Sequence, residues 1–274
     1  MKQAVLALSG GMDSSSLALH LLSQNFFVTA IGIDYGQRHR VELQRAEELV
    51  NFLRSKGFTI TYNVIELKGL SNLLVSGLVE NDSMELKTGH YAHENALTSV
   101  VPNRNAILSS IAYAIALSIV KKTNEDCIIA LATHMGDFNN NEKRGIYPDC
   151  SQEFKDAIEY AFKIGNWDSE KVSYYAPYNV TDKTGVLQDG LNCCNALELD
   201  YKQVYARTNT SYAPILIDGK WYSDYKTGSS IERIEAFYNL GKEDPLEYAD
   251  ANNIVSWEFV KENTLKIIKE FNKK

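Results

Sequence analysis

Lys2-Gln3-Ala4-Val5-Leu6-Ala7-Leu8-Ser9-Gly10-Gly11-Met12-Asp13-Ser14-Ser15-Ser16-Leu17 is the stretch whose reading decides the fold. Ala4 to Leu8 is apolar without alternation, as a parallel strand buried on both faces requires. Ser9-Gly10-Gly11 ends it in a tight turn. Leu17, Leu21 and Leu22 then give the spacing of a helix with one core face, and Ser14-Ser15-Ser16 are its expected caps. Strand, glycine turn and helix in that order aim main-chain N–H groups and the positive helix end at one point, which favours a bound anion. Glycine lets the chain approach phosphate oxygens closely. The hydroxyls of Ser9, Ser14 and Ser15 add donors, whereas Asp13 suits phosphate only with Mg²⁺ between them.

Outward from this loop, Phe27 to Ile33 reads as a second strand and Thr59 to Leu67 as a third. Between them, Ala46, Leu49, Val50 and Leu53 share one face of a helix from Arg40 to Lys56 whose other face carries Glu42, Arg45, Glu47 and Arg54. The alternation predicts an α/β fold: an open parallel sheet with right-handed crossovers and helices on both faces. Residues 68 to 99 are weakly patterned and longer than an ordinary connection, so they are expected to form a lid or substrate loop. A buried helix from about Asn103 to Val120, a strand from Cys127 to Ala132, a polar loop from Thr133 to Tyr147 and a helix opening at Pro148-Asp149 extend the sheet to four or five strands. The apolar run Ala106 to Val120 is shorter than the roughly 20 residues of a bilayer span and is interrupted by Ser109, Ser110 and Ser118, so no membrane is expected. Beyond Asn192 the periodicity breaks up, and Ala249 to Lys274 reads as an amphipathic helix. The expected division is a sheet domain over 1–192 and an appendage over 193–274.

The bulk properties narrow the partners. The 274 residues carry a formal net charge of -7, which argues against the basic footprint of a nucleic-acid binder and favours a small-molecule or protein substrate. Cys127, Cys150, Cys193 and Cys194 form no CxxC pair, and His39, His90, His93 and His134 have no ligand spacing. The first strand follows Met1 with no cleavage-type segment, so a cytoplasmic protein with reduced thiols is expected.

The loop is neither GxxxxGK[ST] nor GxGxxG. Ser9-Gly10-Gly11-Met12-Asp13-Ser14 resembles the SGGxDS loop of the PP-loop ATP pyrophosphatases, which holds the pyrophosphate leaving group while the α-phosphate passes to a substrate oxygen. The resemblance implies ATP binding by Leu8, Ser9, Gly10, Gly11, Met12, Asp13, Ser14 and Ser15, with Mg²⁺ at Asp13. Asp34-Tyr35-Gly36-Gln37-Arg38-His39, Val101-Pro102-Asn103-Arg104-Asn105 and Tyr147-Pro148-Asp149-Cys150 narrow it further. Together with the loop they resemble the 7-cyano-7-deazaguanine synthase (QueC) family over Lys2 to about Phe237.

That family implies an ATP-dependent ligase that adenylates the carboxylate of 7-carboxy-7-deazaguanine, releases pyrophosphate, and joins the acyl group to ammonia on the way to the nitrile. Carried over by motif, Asp13, Arg104 and Lys183 (in Thr181-Asp182-Lys183-Thr184) are the catalytic candidates. Tyr35, Gln37, Arg104 and Asp149 are the substrate-binding ones. For Tyr35, Gln37 and Asp149 a packing or capping role stands beside the binding role, Asp149 being a candidate N-cap; Arg104 at a helix N-terminus is badly placed for a structural cation. A homodimer is also implied. The family closes its C-terminal region with four cysteines around a structural zinc, but here, aligned on Glu235-Ala236-Phe237, the positions hold Ser211, Asp224, Thr227 and Ser230. No structural zinc is expected, and Tyr212, Trp221, Tyr222 and Tyr225 are expected to supply a substitute core. This departure, with the insertion around Asn139-Asn140-Asn141, opens a second reading: a diverged relative, like QueC-like proteins of bacterial antiviral defence operons, that joins the deazaguanine carboxylate to an amine of a partner protein. tRNA thiolation or lysidine formation is disfavoured by the acidic balance, and a non-catalytic nucleotide sensor is the remaining class.

Overall fold

The computed structural model describes residues 1–67, 69–79, 88–89, 97–137, 147–251, 253–271 and 273. The Asn139–Asn141 insertion, His90, His93 and much of 68–99 lie outside the described residues.

A strand points successive side chains to opposite faces, and the central strand shows what that does here. In β1 (Gln3–Ala7), Ala4 and Leu6 enter one hydrophobic cluster and Val5 enters another on the opposite side. β2 (Phe27–Asp34), β4 (Cys127–Ala130) and β5 (Val172–Tyr175) split likewise, Ala30 and Ala130 to the first cluster, Ile31, Ile129 and Val172 to the second. With β3 (Ile60–Glu66) they form a five-stranded sheet of order β3-β2-β1-β4-β5, parallel throughout. The sheet has the expected class. Its order reverses between β1 and β4, so a crevice opens beyond the carboxyl ends of those two strands.

The first face is covered by α1 (Met12–Ser23), α2 (Val41–Ser55) and α5 (Lys183–Ala196), the second mainly by α3 (Arg104–Thr123) with Phe162 of α4 (Gln152–Gly165). α1 and α5 pack closely because Gly190 has no side chain: a Cβ there would lie 1.9 Å from the Tyr205 hydroxyl and 2.7 Å from Ser16 Oγ. α3 is long and apolar enough to cross a membrane by length and composition. It lies against the sheet instead through Ala112, Tyr113, Ala116 and Val120, while Ser110, Ala114 and Ser118 remain exposed, so it is buried on one face rather than all round.

Three local expectations change. The cap of α1 is Gly11, in extended conformation, and the serines that were to cap the helix lie inside it. Ser151, not Asp149, caps α4 by accepting from Phe154 N at 3.1 Å, and Pro148–Cys150 forms a separate 3-10 turn. Residue 192 falls within α5. Phe237, Tyr205 and Val204 share the cluster of Leu6 and Leu17, so the C-terminal part is packed into the sheet's first face. That part comprises α6 (Tyr201–Tyr205), the hairpin β6 (Ile215–Ile217) to β7 (Lys220–Tyr222), α7 (Gly228–Asn239), the hairpin β8 (Tyr248–Asp250) to β9 (Asn253–Val255), and α8 (Trp257–Phe271), which starts later than 249 because β8 and β9 come first.

Ser211, Asp224, Thr227 and Ser230 converge. Asp224 Oδ2 accepts the hydroxyls of Ser211 at 2.5 Å, Thr227 at 2.8 Å and Ser230 at 2.9 Å, and Oδ1 accepts the backbone N–H of Lys226 and Thr227 at 2.6 Å each. Three neutral hydroxyls whose protons are given to one carboxylate do not fit zinc, which takes thiolate or imidazole donors. The bond network, more than the expected aromatic packing, occupies the place. Tyr222 and Tyr225 are buried near it, while Tyr212 turns to a cavity over the sheet.

Candidate active site

That cavity, of about 290 Å³, lies at the switch point of the sheet. Its wall takes Ala7 and Leu8 from the end of β1, Ile31 to Ile33 from β2, and Leu131 to Thr133 from the segment after β4. Ser9, Asp13 and Ser14 of the glycine loop open into it, as do Tyr35, Arg104 and Asp149. Residues from five separate stretches of the sequence thus meet around one space.

The loop's conformation depends on Gly10, with φ +84, where a Cβ would sit 2.0 Å from the Glu42 carbonyl oxygen. Inside the loop, Ser14 Oγ accepts from Ser9 N at 3.2 Å and lies 3.1 Å from Ser9 Oγ. Gly10, Gly11, Met12 and Ser15 are not cavity wall. Met12 is buried in the core and donates its N–H to Thr210 Oγ1 at 3.2 Å; Ser15 donates its hydroxyl to the Gly11 carbonyl at 2.7 Å. Asn209 N–H closes on the Gly10 carbonyl at 2.8 Å. These contacts shape the loop from behind.

Asp13 Oδ1 is buried without a hydrogen-bond partner, while Oδ2 is 3.4 Å from Lys183 Nζ. A buried, unsatisfied carboxylate oxygen beside a helix N-terminus and two serine hydroxyls is a donor set that suits a hard cation such as Mg²⁺ carrying phosphate. Lys183 opens α5 and also pairs with Glu232 Oε2 at 3.0 Å; burial works against its charge, but Asp13 and Glu232 hold its pKa above the ordinary lysine value. It stands behind Asp13 and is not cavity wall.

At the other partners, burial pushes the Tyr35 hydroxyl up to about 12, opposed by Arg104, which hydrogen-bonds it. Arg104 is thereby presented to the cavity as a fixed cation at the start of α3, where the left-handed Asn103, φ 58, turns the chain into the helix. Gln37 is spent on its own loop: its Oε1 accepts from Tyr35 N at 3.0 Å and its Nε2 donates to the Ile33 carbonyl at 3.0 Å and to Glu42 at 3.3 Å. It positions Tyr35 and does not line the cavity. The described part of 68–99 adds Leu70 and Leu74 to the wall, and Leu78 and Val79 pack with Tyr35.

Several lining residues were not named as site residues from the sequence: His39, Glu42, Thr133, Asp137, Lys155 and Tyr212, the last of which was expected in a substitute core. His39 could have been found, since it ends the Asp34–His39 motif; its Nε2 lies 3.3 Å from Glu42, its ring packs on Tyr212 with centroids 5.6 Å apart, and its buried Nδ1 has no partner. Lys155 and Tyr212 carry no local signal.

The arrangement can hold a polyanion at the loop and a flat, partly anionic ring against the wall that Tyr35 and Arg104 form. Comparison with known proteins bears on that reading. The model of the queuosine biosynthesis protein QueC family matches residues 3–241. A protein named 7-cyano-7-deazaguanine synthase 2 from Colwellia psychrerythraea strain 34H is 34% identical over 249 residues, covering 91% of this chain and 100% of its own. The 7-cyano-7-deazaguanine synthase of Methanoregula boonei is 35% identical over 246 residues, covering 90% and 99%. Among solved structures, NMN synthetase from Francisella tularensis aligns over 96% of this chain and 85% of its own, at 14% identity and a TM-score of 0.40. A family match across nearly the whole chain, carried on a sheet whose switch point gathers the loop and motif residues, makes this protein a member of the QueC family.

Proposed function

We propose that the protein is an ATP-dependent carbon–nitrogen ligase that converts 7-carboxy-7-deazaguanine and ammonia to 7-cyano-7-deazaguanine. The observation that carries the reading is that one cavity is lined both by Ser9, Asp13 and Ser14 and by Tyr35, Arg104 and Asp149. A carboxylate is a poor electrophile until one of its oxygens becomes part of a leaving group, so the phosphate-binding and acid-binding groups must face each other.

Asp13, with Ser9 and Ser14, would hold Mg²⁺ and the β- and γ-phosphates; the metal would supply charge neutralisation to departing pyrophosphate. Lys183 keeps Asp13 in place from behind. Arg104 orients the acid by a two-pronged contact, and Tyr35 offers a ring face for the deazapurine. Asp149, on the same wall, accepts from ring N–H groups of the base.

The test is incubation with ATP, Mg²⁺, 7-carboxy-7-deazaguanine and ammonium, read by mass spectrometry. Nitrile, AMP and pyrophosphate are expected from the wild type and none from Asp13→Ala. Turnover intact in Asp13→Ala refutes the mechanism. A mass adduct on a supplied protein in place of nitrile replaces ammonia with a protein amine as the acceptor.

A further inference from the structure

We propose that Lys155 is the base that takes the proton released when ammonia attacks the activated carboxyl group. The inference rests on the ligase reading and assigns a residue to its second half.

Lys155 is the one residue of α4 that is fully buried, at 3% exposure, and it belongs to the cavity wall with Asp13, Arg104 and Asp149. Its Nζ donates to Thr133 Oγ1 at 2.6 Å and to Asn179 Oδ1 at 2.6 Å. The hydrogen-bond directions fit a fixed acceptor pair. The Thr133 hydroxyl gives its proton to Asn179 Oδ1 at 3.1 Å, and Asn179 Nδ2 donates to Gln152 Oε1 at 2.5 Å, so both oxygens facing Lys155 accept. Two N–H bonds to neutral oxygens orient a neutral amine by its own hydrogens, a geometry that serves a proton acceptor as well as a cation. Thr133 follows β4, at the switch point of the sheet, so the amine sits beside the crevice.

The charged form is disfavoured there. Burial lowers the Lys155 pKa to about 8, against the opposing influence of Cys150 on the 3-10 turn, Asp137 on the turn after β4 and Asp156 on α4 itself. A substantial fraction is therefore neutral near physiological pH, where a surface lysine would be almost wholly protonated. The buried Lys183 and the half-buried Arg104, by contrast, have their pKa values raised.

The chemistry needs such a group. Ammonia attacks the acyl-adenylate carbonyl and forms a C–N bond, giving a tetrahedral species with a positively charged nitrogen. Lys155 Nζ takes one proton from that nitrogen and becomes ammonium. The C–O bond to AMP then breaks, AMP leaves with the electron pair, and the amide remains. Without proton removal, the intermediate expels ammonia more readily than AMP. A positioned base in this role contributes on the order of 10²-fold or more.

The experiment uses the full chain with ATP, Mg²⁺ and 7-carboxy-7-deazaguanine, and compares ammonium with hydroxylamine, an α-effect nucleophile that captures activated acyl groups without a positioned base. Substrate-dependent ATP–pyrophosphate exchange reports the first step and the integrity of the site. In Lys155→Met and Lys155→Arg, exchange is retained, amide formation from ammonium falls on the order of 10²-fold, and hydroxamate formation is largely preserved. In the wild type, the amide rate per free ammonia rises with pH through a midpoint near the Lys155 pKa, and the hydroxamate rate does not. Ammonium turnover unimpaired in Lys155→Met overturns the assignment. So does a parallel loss of both products that Lys155→Arg restores, which is the signature of a required cation, and so does a wild-type profile flat in pH. A wild type that forms no exchange and no amide instead refutes the ligase reading itself, and the assignment falls with it.

Discussion

Replacing Asp224 by asparagine tests whether hydrogen bonding holds together the four positions at which the family resemblance would put zinc ligands. Five donors point at this one carboxylate: two backbone N–H groups on Oδ1 and three hydroxyls on Oδ2. A hydrogen bond to a charged acceptor contributes about 1.5–3 kcal/mol and one to a neutral acceptor about 0.5–1.5, so loss of the charge weakens the set by roughly 5 kcal/mol in total. The asparagine NH₂ also faces donors, although the hydroxyls can rotate to accept from it. Relief from burying a charge offsets part of the loss. The net expectation is destabilisation by about 3 kcal/mol, a large share of the usual 5–15 kcal/mol of a domain. Urea unfolding of wild type and Asp224→Asn measures it, and a loss under about 1 kcal/mol refutes the structural role. The same convergence makes a second arm: with Ser211→Cys, Asp224→Cys, Thr227→Cys and Ser230→Cys combined, four thiolates surround one point. One zinc per chain by elemental analysis is expected, and none would show that the four positions do not meet.

Gly10→Ala places a Cβ 2.0 Å from the Glu42 carbonyl and demands an unfavourable φ; the loop must shift, and ATP–pyrophosphate exchange should vanish while far-UV circular dichroism stays native. Arg104→Lys keeps the charge and loses the fork, so kcat/KM for the deazaguanine acid should fall about 10–100-fold, against near-unchanged values if Arg104 only packs. His20 gives a pH signature. Its hydrogen bond to Asp189, 2.9 Å away, together with those to Cys193 and Tyr175, lifts its pKa to about 10. A raised pKa stabilises the fold fully below the unfolded value near 6.5 and progressively less up to 10, so the stability difference between wild type and His20→Gln should shrink by about 2 kcal/mol across that window after allowance for partial exposure. A difference constant in pH over that range would show that the ring is neutral in the fold.

How much of this was legible in the sequence follows from the range of the forces involved. The strand–loop–helix unit and the parallel sheet were readable because each rests on a periodic pattern or on residues within a few positions, whereas Ser9, Asp13, Ser14, Tyr35, Arg104 and Asp149, which line the cavity, were named through the family's motifs. The failures are those of side chains claimed by partners that no pattern announces, whether far along the chain or close by. Nothing near Lys155 marks it as buried, because its acceptors come from residues 133 and 179. Gln37 reads as a substrate ligand until the Tyr35 N–H and Glu42 claim its amide. The boundary at 192 rested on fading periodicity, which a short helix and two small hairpins produce without any break in the core.

The support of the glycine loop is the strongest case of this kind. Met12 N–H is held by Thr210 Oγ1 and the Gly10 carbonyl by Asn209 N–H. Thr210, with Thr208, accepts from Arg233 Nη1 at 3.1 and 2.7 Å. Arg233 is wholly buried and carries a two-pronged pair with Asp244, at 2.6 and 2.9 Å, and Asp244 also accepts from the Tyr248 hydroxyl at 2.7 Å. A buried charge so fully bonded is costly to disturb from either end, because removing one member strands the rest. The C-terminal segment therefore acts on the loop through one continuous chain of bonds, Tyr248–Asp244–Arg233–Thr210–Met12. Loss of a metal elsewhere in that segment would loosen the loop unless the same stretch were held by other means, and the Asp224 cluster, on the strand-to-helix turn just before Arg233, is where such means are found.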